Sequence, residues 1–202
     1  MFIETPCLVK TTVMFKKDER MKLPILIALG FVVAIAGCAN PVNQVTADNY
    51  QETCFVAERN GNLEVAEEAC GRALANVKWG NLGALEESQK RYHLSKIKRA
   101  LGKFAEAEVL LKQSLALEEG LDPKSELRIG RRSVELAVAL AGQGKWAEGV
   151  EHLTRAYGAR NEYSASEKSY TALVLRKYAE ELRKSNEQRA TEFSAMAAQL
   201  SE

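Results

Sequence analysis

Four positions, Gly61, Gly102, Gly144 and Asn186, stand 41, 42 and 42 residues apart, and each is followed by an amphipathic stretch of similar pattern. A constant beat of this length marks a stacked helical repeat. One unit of such a stack cannot bury its apolar face alone, so its neighbours must cover it. The segments Gly61-Asn62-Leu63-Glu64-Val65-Ala66, Gly102-Lys103-Phe104-Ala105-Glu106-Ala107 and Gly144-Lys145-Trp146-Ala147-Glu148-Gly149 share one plan. Each has a turn glycine, an apolar residue two places on and a small residue five places on. Glycine suits the left-handed turn that ends a helix, and the small residue lets the next helix approach closely. Cys70, Leu111 and Leu153, then Ala73, Ser114 and Ala156, continue the same face at helical spacing.

The partner helix lies before each turn. Leu94, Ser95, Ile97 and Leu101 precede Gly102; Leu136, Ala137, Ala139 and Leu140 precede Gly144; Tyr178, Ala179 and Leu182 precede Asn186. The prolines at 6, 24, 41 and 123 leave helix unobstructed from about Ala47 to Pro123 and again beyond. These patterns resemble the tetratricopeptide repeat, in the longer form seen in kinesin light chains. The resemblance runs from about Ala47 to Leu200 and is best in the second and third units. In the fourth, Asn186 replaces the glycine and Thr191 the small residue, as befits a terminal unit with no neighbour on its outer side. It implies an all-α fold, an α-α superhelix of about four helix pairs over residues 47–200. An unrelated helical bundle is the alternative.

In such domains the first helix of each pair lines a concave face that holds other polypeptides. Projected onto this chain, that face carries Phe55, Arg59, Tyr92, Lys96, Arg99, Arg131, Val134, Val138, Arg176 and Arg183. The set is basic with two aromatics, which implies a protein or peptide partner with acidic and apolar character, gripped by guanidinium groups and rings. The competing reading is a scatter of solvated surface residues.

The N-terminus has a different grammar. Lys16, Lys17, Arg20 and Lys22 precede an uncharged run from Leu23 to Ala36, which leads into Ile35-Ala36-Gly37-Cys38. The run is shorter than the roughly 20 residues of a spanning helix, and the order of basic flank, short apolar core and small residues is that of an export signal. The tetrapeptide resembles the lipobox of bacterial lipoproteins. That resemblance implies cleavage after residue 37, acylation of Cys38, and a tether over residues 38–46. Ala39, where an aspartate would favour inner-membrane retention, implies the periplasmic face of the outer membrane. Met14 or Met21 is the alternative start. A buried helix that happens to end in cysteine is the competing structural reading.

Removing residues 1–37 takes away five bases and three acids, leaving 23 against 24. A near-neutral chain lacks the field that drives nonspecific nucleic-acid binding. Cys54 and Cys70 flank Gly61 on opposite arms of the predicted hairpin, so they pair as a disulfide in an oxidising compartment, or remain as two compact core thiols. No catalytic constellation emerges and no cofactor is implied. His93 and His152 lie in different units without metal-site spacing, and there is no phosphate-cradling loop. The adjacent pairs Glu67-Glu68, Glu86-Glu87, Glu118-Glu119 and Glu180-Glu181 diverge by about 100° on a helix and read as solvated faces. Trp146 reads as packing, and Trp79 as a cover for the loop at Gly80, with an exposed anchor as the alternative. The favoured function is a lipid-anchored adaptor or scaffold for cell-envelope proteins rather than an enzyme. The alternative is a permanent subunit or pilotin-like assembly factor of an envelope, pilus or secretion complex.

Overall fold

A computed structural model describes residues 40–201; the segment expected to be a signal peptide, and Cys38, lie outside them. Eight α-helices follow in order: α1 (Pro41–Arg59), α2 (Leu63–Trp79), α3 (Ala84–Ala100), α4 (Phe104–Glu119), α5 (Glu126–Ala141), α6 (Trp146–Gly158), α7 (Ala165–Leu182) and α8 (Glu187–Gln199). A 3-10 turn, Arg160–Glu162, precedes α7. Each odd helix packs on the even helix after it, and the four hairpins stack in sequence order as an α-α superhelix. Among the described residues there is no strand, and no helix is long and apolar enough to cross a membrane.

The repeat glycines make the hairpin turns. Gly61, Gly102 and Gly144 hold φ of 75°, 73° and 74°, the left-handed region where a side chain is strained. In all three turns the pattern of bonds closing the helix recurs, with Asn62 N donating to Ala57 O, Lys103 N to Lys98 O and Lys145 N to Leu140 O. Asn186 breaks this pattern. Its φ is −154°, so it does not replace glycine as a left-handed turn residue, and its side chain instead accepts from Arg189 N at 3.0 Å and caps α8.

α1 begins six residues earlier than Ala47. Asn40 accepts from Val42 N at 3.0 Å and Pro41 occupies the first helical position, a combination that starts a helix without slack. The polar stretch expected to be a tether, from residue 41 onward, is therefore helix.

The core changes character along the stack. In the first unit it is built of Cys54, Ala57, Ala66, Ala69, Cys70 and Leu74, and the Cys54 and Cys70 sulfurs are bonded, with Cα atoms 5.3 Å apart. Between the second and third units an apolar cluster of Leu111, Leu115, Ile129, Leu136 and Leu140 is joined by a buried polar network. Glu118 is 0% exposed, which corrects its reading as part of a solvated pair. It accepts from Ser88 Oγ, Arg132 Nη2 and Arg128 Nε, each at 2.8 Å, while Arg132 Nε also donates to Ser114 Oγ at 2.7 Å. Removing one partner of such a network would strand a buried charge, so its members are tied together. The last units close on aromatics: Tyr178 and Phe193 are fully buried, with Trp146 edge-on to Tyr178 at 4.9 Å. A Cβ at Gly149 would lie 1.8 Å from the Tyr178 hydroxyl oxygen, which explains why glycine rather than alanine fills the small position there.

Candidate protein-binding groove

The first helices α3, α5 and α7 expose a valley holding two depressions that share Tyr170. The smaller, about 220 Å³, is lined by Tyr92, Arg131, Val134, Glu135, Tyr163, Glu167, Tyr170 and Thr171. The larger, about 490 Å³, has walls that include Arg99, Val138, Leu173 and Lys177 and a floor that includes Phe104, Trp146 and Tyr178. Leu173 is 47% exposed at its edge. An elongated, mostly apolar surface with a few polar groups suits an extended or helical peptide better than a small solute.

Of the residues projected onto this face, Tyr92, Arg99, Arg131, Val134 and Val138 line the two depressions. Lys96 lies between Tyr92 and Arg99 on the same helix face, half-buried, and lines neither. Phe55 packs edge-on against His93 at 5.0 Å, one unit upstream of the valley. Arg59 pairs with Glu52 in solvent at 3.4 Å. Arg176 and Arg183 are not in the groove. Arg176 donates to Ser201 Oγ at 2.8 Å beside the end of α8, and Arg183 follows the last residue of α7. The cause is positional. A first helix shows one flank to the unit after it and another to the unit before it, and among the described residues no unit follows α8. The groove wall on α7 is therefore its backward flank, Tyr170, Leu173 and Lys177, which a projection from the middle units skips.

The electrostatics of the lining also differ from a basic strip. Arg99 Nε donates to Glu135 at 2.8 Å, and Arg131 pairs with Glu167. Each pair joins a first helix to the first helix of the next unit, so both guanidinium groups are already held and largely neutralised. For Glu167, burial pulls the carboxyl upward, but hydrogen bonds from Arg131 and Ser164 outweigh this and hold it at about 2. The Tyr170 hydroxyl is buried beside the Glu135 carboxylate without a formed hydrogen bond; burial, and then that charge, push it up to about 12. His93 is pushed down to about 4 by burial, with Lys96, Lys90 and Arg132 adding to the effect, so it is neutral at pH 7.

A second set of pairs runs along the even helices. Lys103 meets Glu67 at 2.7 Å, Lys145 meets Glu108 at 2.8 Å, and Arg155 pairs with Glu119. Here the base belongs to the later unit and the acid to the earlier one, the reverse of the groove face. Glu108 is held at about 2 by hydrogen bonds from Lys112 and Lys145, which overcome the effect of burial.

No family model matches the chain, and no curated protein matches it. Among solved structures it is similar to a protein from Podosopora anserina assigned as a kinesin light chain with nearly identical TPR-like repeats. The TM-score is 0.57 at 19% identity, over 76% of this chain and 74% of that one. A point variant of the same protein matches equally well. At this identity the likeness establishes the fold alone, a TPR-type α-α solenoid.

Proposed function

We propose that the chain is a lipid-anchored adaptor that holds a protein of the bacterial cell envelope in the valley of α3, α5 and α7. The observation that carries this reading is the larger depression, whose apolar and aromatic floor opens to solvent at Leu173 and is flanked by Lys177. Such a site favours a segment that inserts an apolar side chain over Phe104 and Trp146 and presents a carboxylate to Lys177. Because Arg99 and Arg131 are already paired, acidic preference rests on Lys177 and on the free edges of those guanidinium groups rather than on a uniformly basic wall. Acylation of Cys38 would attach the solenoid to the periplasmic face of the outer membrane.

The test is photocrosslinking in intact cells from a reactive residue placed at position 173. It should give a discrete partner adduct that is lost in Lys177→Glu, with the helical circular dichroism of the variant unchanged. An adduct pattern indifferent to Lys177→Glu, or no adduct at all, would overturn the groove assignment. Mass spectrometry of the mature N-terminus tests the anchor separately: an acylated Cys38 is expected, and Cys38→Ser should release the protein from membranes.

A further inference from the structure

The end of the stack where α1 begins carries apolar side chains that the molecule leaves uncovered. Trp79, the last residue of α2, is 78% exposed, so it does not cover the loop beside it; Val42 and Val45, in the opening turns of α1, are 71% and 61% exposed. Val42 and Val45 are three residues apart and share a helix face. The start of α1, which carries them, is held against the end of α2, where Trp79 stands. Asn40 N donates to Gly80 O at 3.0 Å, Asn43 Nδ2 donates to Asn76 Oδ1 at 3.4 Å, and a Cβ on Gly80 would lie 2.5 Å from Asn43 Cβ. Gly80 thus permits the contact that sets the start of α1 against the end of α2.

The same corner is where the chain leaves toward Cys38. With Asn40 fixed by its cap and its bond to Gly80, only Ala39 separates it from Cys38. Two extended residue steps span at most about 7 Å, so an acyl group on Cys38 would enter a membrane within a few ångströms of this corner. The rigid start at Pro41 removes the slack that would let the solenoid stand away from the lipid. Tryptophan is the side chain best suited to such a boundary, with an apolar body and one N–H donor for the headgroup layer, and Lys78 beside it is exposed and cationic.

We propose that Trp79, with Val42 and Val45, rests in the headgroup layer of a phospholipid bilayer. The patch would fix the orientation of the first unit, with its turn at Gly61 pointing away from the lipid. This rests on the anchoring of Cys38 proposed above. It adds an oriented contact to what would otherwise be attachment by acyl chains alone.

The experiment uses the mature chain purified from membranes, carrying Trp146→Phe so that Trp79 is the remaining tryptophan of the two. It is reconstituted into vesicles of phosphatidylethanolamine and phosphatidylglycerol whose acyl chains are brominated near the headgroups. Trp79 emission should shift to the blue and be quenched by about twofold or more, as expected of an interfacial indole. The Cys38→Ser form, mixed with the same vesicles, should show neither change. Acylated protein that stays on the vesicles while Trp79 reports bulk water overturns the docking and leaves the anchor standing. A mature chain without acyl groups on Cys38 overturns the anchor and the docking with it. Trp79 shielded in vesicle-free Cys38→Ser protein that sediments as a dimer overturns the proposal in favour of a contact between two copies. Should Trp146→Phe fail to fold, a water-soluble indole oxidant followed by peptide mass spectrometry reads the same shielding on the unaltered chain. Trp79 should then be protected at least severalfold on vesicles relative to detergent, and equal oxidation would count against the proposal.

Discussion

Among the described residues the first unit, Pro41 to Trp79, and the last, Ala165 to Gln199, each have a neighbouring repeat on one side, and the side chains that hold them are of opposite kinds. The first is built largely from alanines and is crosslinked by Cys54 and Cys70. The last is built around Tyr178 and Phe193, and the Tyr178 hydroxyl donates to Ala137 O of the preceding unit at 2.7 Å. Alanines bring helices close but bury little area each, so the covalent link compensates within the unit. Aromatics bury much more, and Tyr178 ties its own unit to the one before it. The first end is therefore secured by a covalent link within its unit as well as by Leu94 and Ile97 of the second, and the last by an aromatic ring that reaches its neighbour.

The largest expected effect breaks the aromatic end. Tyr178→Ala removes a fully buried ring and an inter-unit hydrogen bond, and should cost about 4 kcal/mol in urea unfolding, with α7 and α8 losing amide protection first. Loss confined to the first unit would show the contrast to be wrong. Breaking the other end should matter somewhat less. Cys54→Ala with Cys70→Ala opens a loop of 16 residues and should lower stability by about 3 kcal/mol, with the added exchange confined to α1 and α2. Equal loss of protection in α7 would mean that the first unit is not secured internally.

The contrast can be sharpened with acid. His93 joins the first unit to the second through its edge contact with Phe55, and its folded pKa is depressed from 6.5 to about 4. Below pH 6.5 the unfolded chain takes up a proton that the folded chain refuses, so stability falls as pH drops from 6.5 toward 4. The loss should reach about 2 kcal/mol after allowance for the ring's partial contact with solvent. His93→Phe should flatten that slope. Glu108 and Glu167 behave differently, because their depressed pKa values place their losses between pH 4.5 and about 2. A stability profile that falls only below pH 4.5 would remove His93 from the account. The smallest effect belongs to Asn186→Ala, which deletes the cap of α8 and should cost about 1 kcal/mol, whereas Asn186→Gly should cost only a few tenths.

Much of the architecture was legible because glycines report backbone geometry directly. Gly61, Gly102 and Gly144 predicted three turns that all hold positive φ. Asn186 kept the beat but changed the mechanism, since a side chain that can accept a hydrogen bond caps the next helix equally well. The start of α1 was written in Asn40-Pro41 and was hidden by the polar residues after it, which read as a tether. Glu118 occupies the same register as the buried Val77, so the repeat alignment held a warning that charge alone obscured. What sequence could not supply was pairing between residues 36 apart. Arg99 and Arg131 looked like free cations because nothing local reveals Glu135 and Glu167.

Those pairs also distinguish the two faces of the stack. Along the even helices, Glu67 with Lys103 and Glu108 with Lys145 fall at identical offsets from their glycines, so that rung recurs at the first two junctions, while at the third the same offsets hold Val150 and Glu187. Along the groove the rungs fall at different heights, Arg99 with Glu135 near the hairpin turns and Arg131 with Glu167 near the opposite ends of the helices. Exchanging the second and third units would leave Glu67 facing a lysine, set Val150 opposite Lys103, and lose both groove rungs. The repeats are thus alike as bricks and distinct as addresses: their sequence of assembly is inscribed in the very surface offered to a partner.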